Sequence, residues 1–135
     1  MRRLRELTAH TTTPDRPRLL LIDDDVAVHE MLEPELTRNG YELEKAFSGS
    51  DGLERAERSK PDVIILDLSM PGMSGFQVAA RLKEREATAR IPILVFTAKD
   101  LSEEDRELLR HGVNGIVMKG SAAGARLISA IQSIS

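Results

Sequence analysis

The sequence predicts an α/β domain, a single parallel sheet of five strands with helices on both faces. Three observations carry this reading. Five short apolar runs alternate strictly with five stretches of helical period. Four of those runs are nearly continuous in apolar residues, as expected of strands covered on both sides. Ser, Asn and Gly punctuate the junctions where helices should start and stop.

Taken in order, the first strand is Leu19–Ile22 and the first helix Val26–Asn39. Pro34 lies inside that helix, where a missing backbone donor should bend it. Asn39-Gly40 suits a left-handed exit. Tyr41–Phe47 alternates apolar with charged residues and is expected at a sheet edge. Ser48, three residues before Asp51, marks the start of helix Ser50–Ser59. Val63–Leu66 is the third strand, and Ser74 with Gln77 opens helix Gly75–Glu86. Ile91–Phe96 is the fourth strand. Ser102 with Asp105 opens helix Glu103–His111, which His111-Gly112 should close through a left-handed residue. Gly115–Met118 and Ala122–Ile134 complete the alternation.

Residues 1–17 read as a flexible basic arm and 18–135 as the domain. Met1–Leu7 would make two helical turns, too short to stand alone in water. The stretch from Thr11 to Pro17 is linker chemistry, with two prolines and no apolar residue.

Charge is divided along the 135-residue chain. Five arginines against two acids leave residues 1–18 at +3, and the remainder at −6, for a net charge of −3. An acidic body whose only aromatic residues are Phe47, Phe76, Phe96 and Tyr41 is a poor nucleic-acid binder. No apolar run approaches the ~18 residues of a membrane span, and no secretory signal is visible. With no cysteine there is no disulfide framework or thiolate metal site. A cytoplasmic protein is expected.

Chemistry in a parallel sheet gathers at the carboxyl ends of its strands, near the point where strand order reverses. Here the first strand runs into Asp23-Asp24-Asp25, the third ends on Asp67, the fourth on Thr97 and the fifth on Lys119. Taken singly, each has an ordinary explanation as a turn, a cap or a surface residue. On four strand ends of one sheet, they form a constellation. Two carboxylates ~4 Å apart at an effective dielectric of ~20 repel by about 4 kcal/mol. They remain ionised together only with a cation between them; otherwise one takes up a proton. A hard divalent ion with oxygen ligands, Mg²⁺ above all, meets that need and keeps sites open for phosphoryl oxygens. A carboxylate beside such an ion, a hydroxyl and a lysine suits phosphoryl acceptance.

These residues give the chain a clear resemblance. Leu19 to Asp25, Pro61 to Phe76, Ile91 to Lys99 and Gly115 to Lys119 are similar to the motifs of receiver domains of two-component response regulators, the CheY-like family. The spacings agree: 43 residues from Asp24 to Asp67, then 30 from Asp67 to Thr97 and 52 from Asp67 to Lys119. The resemblance covers residues 18–134. It implies a flavodoxin-like sheet of order 2-1-3-4-5 and a switch that takes phosphate from a histidine kinase or a histidine phosphotransfer protein. By this resemblance Asp67 is the phosphoacceptor. Asp23 and Asp24 are the acidic pair, and with Asp67 and the Ser69 carbonyl they hold Mg²⁺. Thr97 and Lys119 contact the phosphoryl group, while Ser69 and Lys99 flank it and influence its lifetime. The output would pass to another protein or domain through the surface of the fourth helix, fifth strand and fifth helix, which could also pair two copies.

Two departures stand out. Gly120 follows the lysine where the family usually has Pro. Ile116 stands where many members carry an aromatic ring that turns inward, so another element must carry the signal. The candidate is the helix after Ser102, which has little apolar surface beyond Leu108 and Leu109. Lys119-Gly120-Ser121 also looks like receivers fused to hybrid kinases, so the chain reads equally as a stand-alone regulator or as one module of a larger protein.

Two rival functions share parts of the pattern. An aspartate-nucleophile phosphatase of the haloacid-dehalogenase type would use Asp23-x-Asp25, Thr97 and Lys119. It also needs acids after the lysine, and residues 120–135 contain none. A docking module that is never phosphorylated would have no use for the intact Asp, Thr and Lys set. His29-Glu30 with Pro34 echoes a histidine-kinase phosphoacceptor helix, but no ATP-binding segment accompanies it. His29 is expected on an exposed helix face. A switch, not a turnover enzyme, is the expectation.

Overall fold

The computed structural model describes residues 16–134, so almost all of the expected arm lies outside the described residues. Five strands, β1 (Arg18–Ile22), β2 (Glu42–Ala46), β3 (Val63–Leu66), β4 (Ile93–Thr97) and β5 (Gly115–Met118), alternate with five helices. The helices are α1 (Val26–Arg38), α2 (Gly49–Ser59), α3 (Gly75–Glu84), α4 (Glu103–Arg110) and α5 (Ala123–Ile134). All strand pairs are parallel, in the order β2-β1-β3-β4-β5. Backbone pairing begins one residue early, with the Pro17 carbonyl accepting from the Glu42 N–H at 2.9 Å.

The alternation of the strands sorts their side chains into two layers. Leu19, Leu21, Ile65, Leu94 and Phe96 point to the face covered by Val28, Leu32 and Leu36 of α1 and by Leu127, Ile128 and Ile131 of α5. Leu20, Ile22, Ile64, Leu66 and Ile93 meet Leu53 and Ala56 of α2 and Val78, Ala79 and Leu82 of α3. Each fully buried leucine contributes about 1.5–3 kcal/mol relative to exposure. A third, smaller cluster of Leu68, Val95 and Leu109 seats α4, with Ile116 packed against it.

Helix starts follow the expected chemistry. Ser74 with Gln77 and Ser102 with Asp105 form complete capping boxes. Ser48 accepts from the Asp51 N–H, but the Asp51 carboxylate turns to Arg55 instead of closing a box. Pro34 is accommodated within α1, which runs on to Arg38. Gly40 exits α1 at φ +91° as expected. His111-Gly112 does not: His111 ends α4 at φ −99° and Gly112 is not left-handed, because the Gly112 and Val113 N–H groups turn back onto the Leu109 carbonyl. A left-handed residue appears instead at Lys60, after α2, whose carbonyl is held by the Arg18 guanidinium at 3.0 Å. β2 is an edge strand, and β5 is the opposite edge, so β5 is only partly buried despite its apolar sequence.

Candidate functional site

Register brings the strand ends together. Ile22 pairs with Leu66, so Asp23 and Asp67 are the next residues out of adjacent strands. The Asp67 N–H donates to the Ile22 carbonyl at 3.0 Å, and the Lys119 N–H to the Thr97 carbonyl at 2.9 Å. Asp23, Asp24 and Asp67 each turn a ligand oxygen to one place, all within 4.8 Å of one another. With Ser69, Lys99 and Lys119 they line an open pocket of about 450 Å³.

The three consecutive aspartates have separate tasks. Asp23 is buried, its Oδ1 accepting from the Asp25 N–H at 2.9 Å and its Oδ2 from Lys119 Nζ at 2.9 Å. Asp24 is exposed toward solvent. Asp25 caps α1, its Oδ1 accepting from the Ala27 N–H at 3.0 Å. That is the ordinary cap role, and it leaves Asp23 and Asp24 as the acidic pair.

Asp67 is 5% exposed. Burial, and next the negative charge of Asp23, push its carboxyl above the usual range, against the pull of Lys119, the Thr97 hydroxyl and the Ser69 N–H. Lys119 Nζ stands 3.6 Å from Asp67 Oδ1, so it favours Asp23 and leaves Asp67 undercompensated. An acid with a raised native pKa holds its proton more tightly folded than unfolded, so stability falls as pH rises through its titration. Asp67→Asn is therefore expected to raise the thermal midpoint of metal-free protein at neutral pH. The gain should vanish as pH falls below the ordinary carboxylate value of 3.8. Melting curves across pH in a chelator check this, and equal midpoints at neutral pH would contradict it.

The remaining residues divide. Thr97 is fully buried behind the pocket lining, its hydroxyl bonded to Asp67 and its Oγ1 accepting from the Lys99 N–H at 3.1 Å. Lys99 Nζ lies 3.7 Å from Asp105 Oδ2, which also accepts from the Ser102 N–H at the start of α4. Hydrogen bonding from the Ser102 backbone, ahead of the Lys99 charge, holds the Asp105 carboxyl below its ordinary value. Gly120 sits at φ +143°, a region that side-chain-bearing residues avoid, and this takes the chain out of the strand after Lys119. Ile116 is not at the site. It packs in the α4 cluster with Leu68, Val95 and Leu109.

His29 corrects the sequence reading. It is 1% exposed, with Nε2 2.8 Å from the Asp23 carbonyl and its ring centroid 4.3 Å from that of Phe47. The signal was present: residues 29, 32 and 36 share one helical face, and Leu32 and Leu36 are buried on it. Gly75, expected only as the first residue of a helix, also serves packing. A Cβ there would overlap the Asp67 carbonyl oxygen and stand 2.6 Å from Leu68 Cα.

An open parallel sheet with an acidic cluster and a lysine at its switch point defines a class: phosphoryl-handling α/β domains. Comparison narrows it. Residues 19–132 match the family described as response regulator receiver domain. Transcriptional regulatory protein AfsQ1 of Streptomyces coelicolor is 39% identical over 103 residues, 76% of this chain and 44% of that protein. Protein PilH of Pseudomonas aeruginosa is 37% identical over 102 residues, 76% of this chain and 84% of that protein. The structure of chemotaxis protein CheY4 of Vibrio cholerae superposes with a TM-score of 0.82 at 28% identity, covering 90% of this chain and 100% of that one. The chain belongs to the response regulator receiver family and is a receiver domain of two-component signalling. It spans less than half the length of AfsQ1. Receiver domains bind Mg²⁺ at an acidic aspartate cluster, which the described residues supply, and are in general signalling modules rather than turnover enzymes. No helix among the described residues is long and apolar enough to cross a membrane.

Proposed function

We propose that this domain accepts one phosphoryl group on Asp67 from the phosphohistidine of a sensor kinase or a histidine phosphotransfer protein. The observation that carries this is the Asp67 carboxylate itself: buried, crowded by Asp23, yet on the wall of an open pocket. An Asp67 oxygen forms a bond to phosphorus as the P–N bond breaks, and the electron pair leaves with the imidazole. The converging Asp23, Asp24 and Asp67 oxygens fit a hard divalent ion, to which the Ser69 carbonyl would add a ligand. Mg²⁺ there would supply neutralising charge for the equatorial phosphoryl oxygens.

The protein's own groups do the rest. Lys119, the cation already present, turns from Asp23 and Asp67 toward the new dianion. The Thr97 hydroxyl redirects its hydrogen from Asp67 to another phosphoryl oxygen, while its oxygen can go on accepting from the Lys99 N–H. Ser69 and Lys99, on either side of the pocket, set how easily water reaches phosphorus.

With Ile116 unable to turn a ring, the signal passes through α4. Leu109 is its sole buried residue, and Leu108 is 71% exposed, so little apolar contact holds it. The α4–β5–α5 surface then shifts between two populations. It would meet a downstream protein, an output domain or a second copy. Residues 18–135 act as the unit, in the cytoplasm, whether alone or within a longer protein.

The direct test is incubation with a small phosphoramidate and Mg²⁺. One phosphoryl group per chain, dependent on the metal, supports the reading; steady hydrolysis of an aryl phosphate would overturn it. Amide hydrogen exchange in α4 should change on adding a phosphoryl analogue such as beryllofluoride. Equal α4 protection with and without it would refute the proposed route.

A further inference from the structure

We propose that His29 is a positioning residue for the metal-binding acids, acting through the main chain of Asp23; this rests on the Mg²⁺ reading of the acidic cluster. After Ile22 the β1 ladder ends. The Ile22 carbonyl takes the Asp67 N–H and the Asp23 N–H goes to Ala46, while the Asp23 carbonyl receives His29 Nε2 at 2.8 Å. A carbonyl can only accept, so Nε2 carries the proton. Among the described residues Nδ1 has no hydrogen-bond partner, and the ring's one polar contact there is this peptide.

That peptide joins Asp23 to Asp24. Fixing its plane fixes the direction in which Asp24 leaves the strand, and with it the approach of the Asp24 carboxylate to Asp23 and Asp67. The ring is packed on both sides. It stands on the inner face of α1 beside Val28 and Leu32, and Phe47 tilts against it at 43° from the loop after β2. Partners hydrogen-bonded directly to metal-ligating side chains commonly change metal affinity about 10–100-fold when removed, and a hold on the ligand's main chain, one step further back, is expected at the lower end of that range.

The experiment is Mg²⁺ titration by calorimetry on wild type, His29→Leu and His29→Gln, each at a temperature below its metal-free melting midpoint. His29→Leu should bind about tenfold more weakly. His29→Gln, whose amide can still donate, should recover most of that loss. Mg²⁺ should also shift the His29 Nε2–H and Asp24 amide resonances of wild type together in nitrogen-15 NMR. Wild-type affinity in His29→Leu overturns the role of His29, and equal weakening in both variants overturns the hydrogen bond as its basis. If His29→Leu does not fold, the Gln variant and the ring signals decide. A proton found on Nδ1 instead of Nε2, or resonances unmoved at saturating Mg²⁺, overturns the proposal. A wild type that binds no Mg²⁺ fails differently, removing the metal reading and this role with it.

Discussion

Asp67→Asn is expected to take no phosphoryl label under conditions where the wild type takes one per chain. The amide keeps the size and most contacts of the carboxyl but loses the anionic oxygen that attacks phosphorus. Because Asp67 is 5% exposed and Asn is isosteric, the variant should fold, and by the argument above should melt higher without metal. Lost reactivity together with gained stability separates a chemical role from a structural one. Two companions sharpen the test. Asp25→Asn should label close to wild type, since Asn caps a helix as well as Asp does and Asp25 serves as the α1 cap. Lys119→Ala should leave Mg²⁺ binding possible but remove the change in α4 exchange, because the cation that reads the new charge is gone. Full labelling of the Asn variant, measured by intact mass, would refute Asp67 as acceptor.

Gly75→Ala is expected to have the second large effect, at a residue that touches no ligand. The first turn of α3 presses against the β3–α3 loop so closely that the added carbon would overlap the Asp67 carbonyl oxygen and meet Leu68 Cα at 2.6 Å. Both obstacles are backbone, which cannot swing aside as a side chain can. Overpacking of this kind costs about 1–3 kcal/mol, and this site should reach the upper end. Relief requires α3 or the end of β3 to move, and a displacement of ~1 Å at a reacting group can slow transfer about 100-fold. Gly112→Ala is the control: its nearest neighbour would be Lys83 Cγ at 4.0 Å and its φ is not left-handed, so stability should stay within about 1 kcal/mol of wild type. Denaturant melts and initial labelling rates measure both variants. A Gly75→Ala protein as stable and reactive as wild type would contradict the packing argument.

The sequence by itself determined the elements and which residues stand at the strand ends. A continuous apolar run followed by Asp, Thr or Lys is a local pattern. Once five such runs lie parallel, their last residues share one edge whatever the side chains do later. The sheet order and the receiver family followed from the same motifs and were found in the structure and the comparisons. Only the tertiary structure decided which groups within that edge touch one another. Which of three consecutive aspartates Lys119 grips depends on a contact between residues 96 positions apart. His29 turned inward because helical phase outweighed its polarity once the Asp23 carbonyl offered a partner. Gly75 is needed because α3 closes on β3, a distance no local pattern encodes. Local sequence specifies each element's own geometry; the distances between elements are set by how their buried faces pack together.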